Sequence, residues 1–402
     1  MWSADLARSV RAALAGLALA LALALSAAAQ GVAPSDFADN QRAFDAAAQA
    51  ERRGDPHSAI VVLEALADRT DAPRVRLELG RLLFSVGEFR RARAEFLKVY
   101  RRDLPYPVRR AVNVYLSEID RRIGYLQPSL GLANDSNPRR SAASGAYQIL
   151  GAPFDYRSTA HPVTGLRYQL AGALPLTAPA PRQWLLTGSI DGAAFPGPAD
   201  YWAASGEVRR ENHQRNDALG LGARWADQQG VRSDGGFLDY ERRWLGRDRR
   251  LTARAVVSLD HYPTIPDLDG ASLALTTIYE RDLGPSTSGR VSGQARIGPA
   301  AGTLVPWRTL ASGLGASRSL RGVKIDVSGD LIVSTSTYSG VDPFFGRSRR
   351  DHGAALTLSA IQAKPVFGLF PAITLTAEQR WSSIDFYGYR RAGLAIDFRR
   401  RF

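Results

Sequence analysis

The chain of 402 residues contains no cysteine. Disulfides and thiolate chemistry are therefore excluded. Beyond the first thirty residues there is no apolar run long enough for a membrane-spanning helix, so any crossing of a bilayer must be made by strands. Histidine is scarce, and no two of His57, His161, His213, His261 and His352 share a metal-ligand spacing. Ser258 and His261 are close in sequence, but on an extended strand they point to opposite faces and assemble no nucleophile. No glycine-rich phosphate loop precedes a helix; the Gly-Leu-Gly runs at Gly220–Gly222 and Gly313–Gly315 fall on strands. The sequence thus offers no catalytic, cofactor-binding or metal residue, and the expectation is a protein that is not an enzyme.

What is present begins with an export signal. Arg8 and Arg11 precede an apolar run from Leu14 to Leu25, and the small residues Ser26-Ala27-Ala28-Ala29 follow. This pattern predicts a secretory signal peptide over residues 1–29. The formal net charge of +13 would suit a nucleic-acid binder. The basic residues, however, are spread along the chain and alternate with apolar ones instead of forming a block, so no nucleic-acid partner is expected.

Two periods divide the remainder. From Asp36 to Arg122 the apolar spacing is helical, and Gly54-Asp55-Pro56-His57-Ser58-Ala59 is echoed at Gly87-Glu88-Phe89-Arg90-Arg91-Ala92. An offset near the ~34-residue tetratricopeptide period predicts two helical repeats over 36–122. The stretch from Pro107 to Arg122 is the expected capping helix. From Tyr125 onward the period is two: Leu251, Ala253, Ala255, Val257 and Leu259 alternate with polar neighbours, as do Val323, Ile325, Val327, Leu331 and Val333.

Strands are expected to start near Tyr125, Val163, Gln183, Asp200, Asn216, Ser233, Arg249, Asp269, Ser288, Arg308, Gly322, Arg350, Pro371 and Arg390. An even set of fourteen, greasy on one face and charged on the other, predicts an outer-membrane β-barrel over 125–402 with a wet lumen. The segment ending in Leu394, Ile396, Phe398 and Phe402 is its closing strand. Arg254, Asp260, Lys324, Asp326, Asp330, Asp397 and Arg399 are predicted to face the lumen, either hydrating a passing chain or pairing with one another and plugging the lumen. Aromatic belts are expected among Trp184, Tyr201, Trp202, Trp225, Trp244, Tyr262, Tyr279 and Trp381. Asn134-Asp135-Ser136-Asn137-Pro138 reads as an Asx-type turn closing the first strand, with too few oxygen ligands for calcium.

Read together, Arg76-Leu77-Glu78-Leu79-Gly80-Arg81-Leu82-Leu83-Phe84, Gly87-Glu88-Phe89 with Ala92, Arg93 and Phe96, Leu104-Pro105, Asp135-Ser136-Asn137 and Arg380-Trp381-Ser382-Ser383-Ile384 resemble one family. It is Slam, the surface lipoprotein assembly modulator family of type XI secretion, and the resemblance covers essentially the whole mature chain. It implies a periplasmic tetratricopeptide domain, a 14-stranded barrel, and delivery of client proteins (surface lipoproteins or related secreted proteins) to the cell surface. The implied partners are the client, the barrel-assembly machinery through the C-terminal strand, periplasmic chaperones and outer-membrane lipid. No residue can be named as a client contact. The alternative from another class is a passive porin with a periplasmic docking domain.

Overall fold

A computed structural model describes residues 34–400 apart from 101, 103, 179–180, 197–199, 247, 285, 300–305, 321 and 363–364. The expected signal peptide and Phe402 lie outside the described residues. The chain forms two compact units that meet in sequence between Val99 and Tyr100. No helix among the described residues is long and apolar enough to cross a membrane.

The first unit is two helical hairpins, α1 (Pro34–Arg52) with α2 (Pro56–Thr70) and α3 (Pro73–Ser85) with α4 (Phe89–Tyr100). Pro56 and Pro73 open their helices, where the missing N–H costs nothing. Asp55 caps α2 by accepting from the Ser58 amide at 3.1 Å. The two hairpin turns have the same backbone conformation. Gly54 and Gly87 take φ of +80° and +86° at matching turns, a conformation that favours glycine. Ala59 and Ala92, at matching positions one turn into the following helices, are fully buried. Leu63, Leu66, Leu82, Leu83 and Phe96 fill the interior. Arg76 is buried there between Asp71 and Glu95, at 2.5 and 2.8 Å.

The second unit opens with α5 (Tyr106–Ile123), which ends on Gly124 at φ +87° and runs directly into the first strand. The strands are β1 (Tyr125–Asp135), β2 (Gly145–Ile149), β3 (Ala152–Tyr156), β4 (Val163–Pro175), β5 (Arg182–Ala194), β6 (Tyr201–Asn212), β7 (Asp217–Gln228) and β8 (Val231–Leu245). They continue as β9 (Arg249–His261), β10 (Gly270–Gly284), β11 (Thr287–Ile297), β12 (Arg308–Leu320), β13 (Ile325–Thr337), β14 (Arg350–Gln362), β15 (Phe370–Ser382) and β16 (Tyr389–Arg399). Fourteen of them, all except β2 and β3, close into one antiparallel barrel in which each pairs with its neighbour in sequence and β1 pairs with β16. With strands about 4.8 Å apart and tilted by about 40°, the backbone ring is roughly 28 Å across.

The start of β1 and the end of β16 lie at one end of the ring, here called the base; the opposite end is the rim. The two longest connections, 136–162 and 338–349, are both at the rim, as the strand parity predicts. The alternation also holds: Leu130, Leu132, Leu221, Val257, Leu314 and Leu375 point outward and are exposed. Trp184, Trp244 and Tyr279 are exposed toward the base, and Trp202, Trp225 and Trp381 toward the rim, forming two belts.

Tyr201 faces inward against Ala193 and Phe195, and Tyr262 lies past the end of β9, so neither joins a belt. The rim connection after β1 folds into the β2–β3 hairpin. One expectation needs correction, that for Lys324. It sits in the β12–β13 turn at φ +55° and not on a lumenal strand face, because β13 begins at Ile325.

Candidate functional site

The lumen is lined by paired charges. Arg209 on β6 is buried against Asp239 on β8 at 2.7 Å, with Glu241 at 3.2 Å and Glu207 at 3.4 Å. Asp239, fully buried, also accepts from Arg254 at 2.8 Å. Asp260 pairs with Arg224, Asp330 with Arg290, Asp397 with Arg399 and Asp326 with Arg109. Arg254, Asp260, Asp326, Asp330, Asp397 and Arg399 are thus ion-paired, all but Asp397 and Arg399 to residues outside the set expected from the sequence. Where both partners are buried, as at Arg209 and Asp239, the pairing satisfies charges that would be costly alone.

Helix α5, expected to cap the helical repeats, is anchored across the base of the barrel. Arg109 near its start donates to Ser319 on β12 and to Asp326 on β13, the latter at 3.1 Å. At its far end the Arg122 carbonyl accepts from Gln183 of β5 at 2.7 Å. Glu118 meets His213 of the β6–β7 turn at 3.5 Å. In the ring order β12 and β5 are seven strands apart out of fourteen, on opposite walls. An 18-residue helix is about 27 Å long, which matches the diameter. Burial pushes the Glu118 carboxyl up, but the hydrogen bond from His213 and the adjacent Arg121 and Arg122 override it and hold it well below the usual carboxylate range.

A second crosspiece occupies the rim. It is the Asp135-Ser136-Asn137-Pro138 run, and it is an Asx turn as expected: Asp135 Oδ1 accepts from the Asn137 amide at 2.9 Å. Each residue of the turn also does something the sequence does not announce. Asp135 pairs with Arg391 at 2.6 Å. Ser136 exchanges two bonds with Ala392, its amide to the carbonyl at 2.9 Å and its hydroxyl from the amide at 2.8 Å. Asn137 Nδ2 donates to the Arg390 carbonyl at 3.1 Å. These contacts latch β1 to β16. Beyond them the chain leans over the opening: Arg140 reaches Glu378 on β15 at 3.8 Å, and the Pro138 carbonyl accepts from Gln229 of the β7–β8 turn at 2.9 Å. β15 and β7 are six strands apart around the ring.

The β2–β3 hairpin and the 338–349 connection stack beside this crosspiece. The Leu150 amide donates to the Phe344 carbonyl at 2.8 Å. Tyr147, Tyr156, Phe345, Phe386 and Tyr387 form a cluster with centroids 5.1 to 6.2 Å apart, edge-to-face except for the tilted pair Phe345 and Phe386. Arg349 lies over Tyr338 and Tyr387 at 4.1 and 3.7 Å. Burial, with hydrogen bonds to Asp351 and Asp342 respectively, pushes the Tyr338 and Tyr387 phenols up to about 12.

The histidines do not converge. His57 is exposed in the first turn of α2, and His161 bonds the Thr159 carbonyl at 2.8 Å. His261 pairs with Asp269, and His352 is exposed on β14. Ser258 bonds Arg224 and Ser272 inside the barrel, away from His261. Among the described residues no group of His, Cys, Asp and Glu could hold a metal ion. Sequence reasoning missed Arg109, Ser319, Gln183 and His213 as the anchors of α5. Asp326, the acceptor for Arg109, had been placed facing the lumen by alternation alone.

No protein-family model and no curated protein match this sequence. Among solved structures it is similar to OccAB1 of Acinetobacter baumannii, with 7% identity, 69% of this chain and 95% of that chain covered, and a TM-score of 0.37. The outer membrane channel DcaP of Acinetobacter baumannii gives 9%, 69%, 96% and 0.38. The outer membrane protein OprD from Pseudomonas aeruginosa gives 8%, 69%, 93% and 0.36. Likenesses this remote do not bear on activity.

Proposed function

We propose that this chain is an outer-membrane translocon that delivers client proteins to the cell surface. The helical unit, read as tetratricopeptide-like and periplasmic, docks the client. The barrel, base toward the periplasm, provides the route. A ring with an apolar outside, aromatic belts and paired charges within supports the membrane placement. The observation that carries the transport reading is α5, an ion-paired helix laid across the base from one wall to the opposite one. A pore for free diffusion has no use for such a bar, whereas a route opened only for a recruited client does. The resemblance to Slam supports the client class, surface lipoproteins or related secreted proteins. The last strand engages the assembly machinery, and periplasmic chaperones escort the chain. No nucleotide motif is present, so the driving force is the client's own binding and folding outside.

Reconstitution in liposomes tests this. The purified protein should pass small solutes poorly, and a co-expressed client should become protease-accessible only when the protein is present. Removal of residues 36–99, which leaves α5 in place, should abolish client display. High solute flux from the intact protein, with display unaffected by that removal, would establish the porin reading instead.

A further inference from the structure

We infer that β1 is a moving element whose departure from β16 opens both ends of the lumen together. Both crosspieces are built on this one strand. α5 joins its base end through Gly124 alone, and the Asp135–Arg140 crosspiece leaves its rim end without an intervening linker. A displacement of β1 therefore acts on two obstructions that lie at opposite mouths.

The two edges of β1 are not equivalent. Along β4 it is paired from Tyr125↔Ala173 to Asp135↔Val163, and the rim connection joins the two strands covalently. Along β16 the register runs from Ser129↔Arg399 to Asp135↔Gly393, and no turn joins these strands because they are the first and last of the ring. On this second edge the backbone ladder is shorter, seven register pairs against eleven, and side chains reinforce it. Ser129 Oγ bonds Asp397 at 3.1 Å inside the lumen, and the Asp135, Ser136 and Asn137 contacts fasten the rim end. Gly131 leaves no side chain between the strands; a Cβ there would stand 2.2 Å from the Ile396 carbonyl oxygen. β1 is thus hinged on β4 and clasped to β16. Swinging on that hinge, it pulls Arg109 away from Ser319 and Asp326, and draws Pro138 and Arg140 off Gln229 and Glu378.

The inference concerns how the barrel opens and not what it carries, so its test needs no client. The native chain has no cysteine, which makes single thiols clean reporters. Val112→Cys reports at the base and Ala142→Cys at the rim; both positions are buried. In the full-length protein, maleimide labelling of each is followed with and without Asp135→Ala/Ser136→Ala, which unfastens only the rim end. Labelling at Val112→Cys should rise by about tenfold or more, the response to losing roughly 1.4 kcal/mol of closure. Stapling the seam with Ala133→Cys/Ala395→Cys, oxidised before labelling, should cancel that rise. An equivalent staple between β12 and β13, Ala311→Cys/Ser334→Cys, should not. If the rim reporter rises while the base reporter stays still, the two mouths are independent and the inference is wrong. It is equally wrong if the seam staple leaves the rise intact. Heat-modifiable migration confirms folding, and Ser136→Ala alone serves if the double substitution fails that check.

Discussion

On the proposed role of α5 as a closure, Arg109→Ala should shift the barrel toward an open state. Arg109 and Asp326 are 3.1 Å apart with side-chain exposures of 14% and 21%, and Ser319 is a second acceptor. Breaking a fully buried pair costs about 3–5 kcal/mol, and an exposed pair contributes about 0.2–1 kcal/mol. This site lies between those limits, so about 2 kcal/mol of closure is lost, a shift of roughly 30-fold in the open-to-closed ratio. Single-channel recording in planar bilayers reads the ratio directly as open probability. Asp326→Ala should act in the same direction, and the charge-exchanged pair Arg109→Asp/Asp326→Arg should recover part of the closure. An Arg109→Ala channel with the open probability of the native protein would refute the reasoning, because α5 would then be held across the base by something other than this anchor.

Gly131→Val should prevent ring closure, since its Cβ would meet the Ile396 carbonyl oxygen and the Asp397 Cα at 2.2 and 2.5 Å; loss of heat-modifiable migration checks it, with Gly322→Ala, which meets nothing within 4 Å, as the neutral comparison. Ala92→Leu forces a larger side chain into a fully buried position and should cost the helical unit about 1–3 kcal/mol, read as an earlier helical melt of the full chain with the barrel transition unmoved. The depressed Glu118 carboxyl contributes closure that is fully present above the ordinary carboxylate value of about 4.3 and lost only as pH falls through its lower folded value. Protonation of Glu118 should therefore leave resting conductance unchanged down to about pH 5. At the rim the raised Tyr338 and Tyr387 phenols contribute stability below the ordinary phenol value near ~10 that is lost as pH rises through about 12. An ultraviolet phenolate titration should show a late-ionising fraction that Arg349→Ala alters.

The barrel was legible because its signal is local. A period of two survives any error of pairing, and thirteen of the fourteen expected strand starts fall within two residues of those seen. The start near Gly322 is three residues early, because the apolar alternation of Val323 and Ile325 continues through a turn whose reversal is made by Lys324 at positive φ. The inward set was equally readable, since alternation fixes which side Arg254, Asp260, Asp330 and Asp397 take. Their partners were not. The contact from Arg109 to Asp326 joins a helix to a strand across 217 residues, and no periodicity encodes it. For the same reason α5 looked like the end of a helical array: its amphipathic face was visible, but what that helix is tied to was not. The Asp-Ser-Asn turn was recognised as a turn from composition, whereas its hold on Arg390, Arg391 and Ala392 belongs to the far end of the chain.

The clasp between β1 and β16 also has a temporal meaning. Ser129 and Asp397, which meet across it, are separated by 268 residues of chain. While the polypeptide emerges in order, β1 presents a bare row of amides and carbonyls whose partner arrives only with the final strand. Non-local pairing of that span is slow, and an uncovered strand edge invites association with other chains. Biogenesis of this protein is thus a problem of waiting: its first strand must be shielded until the last one is in place.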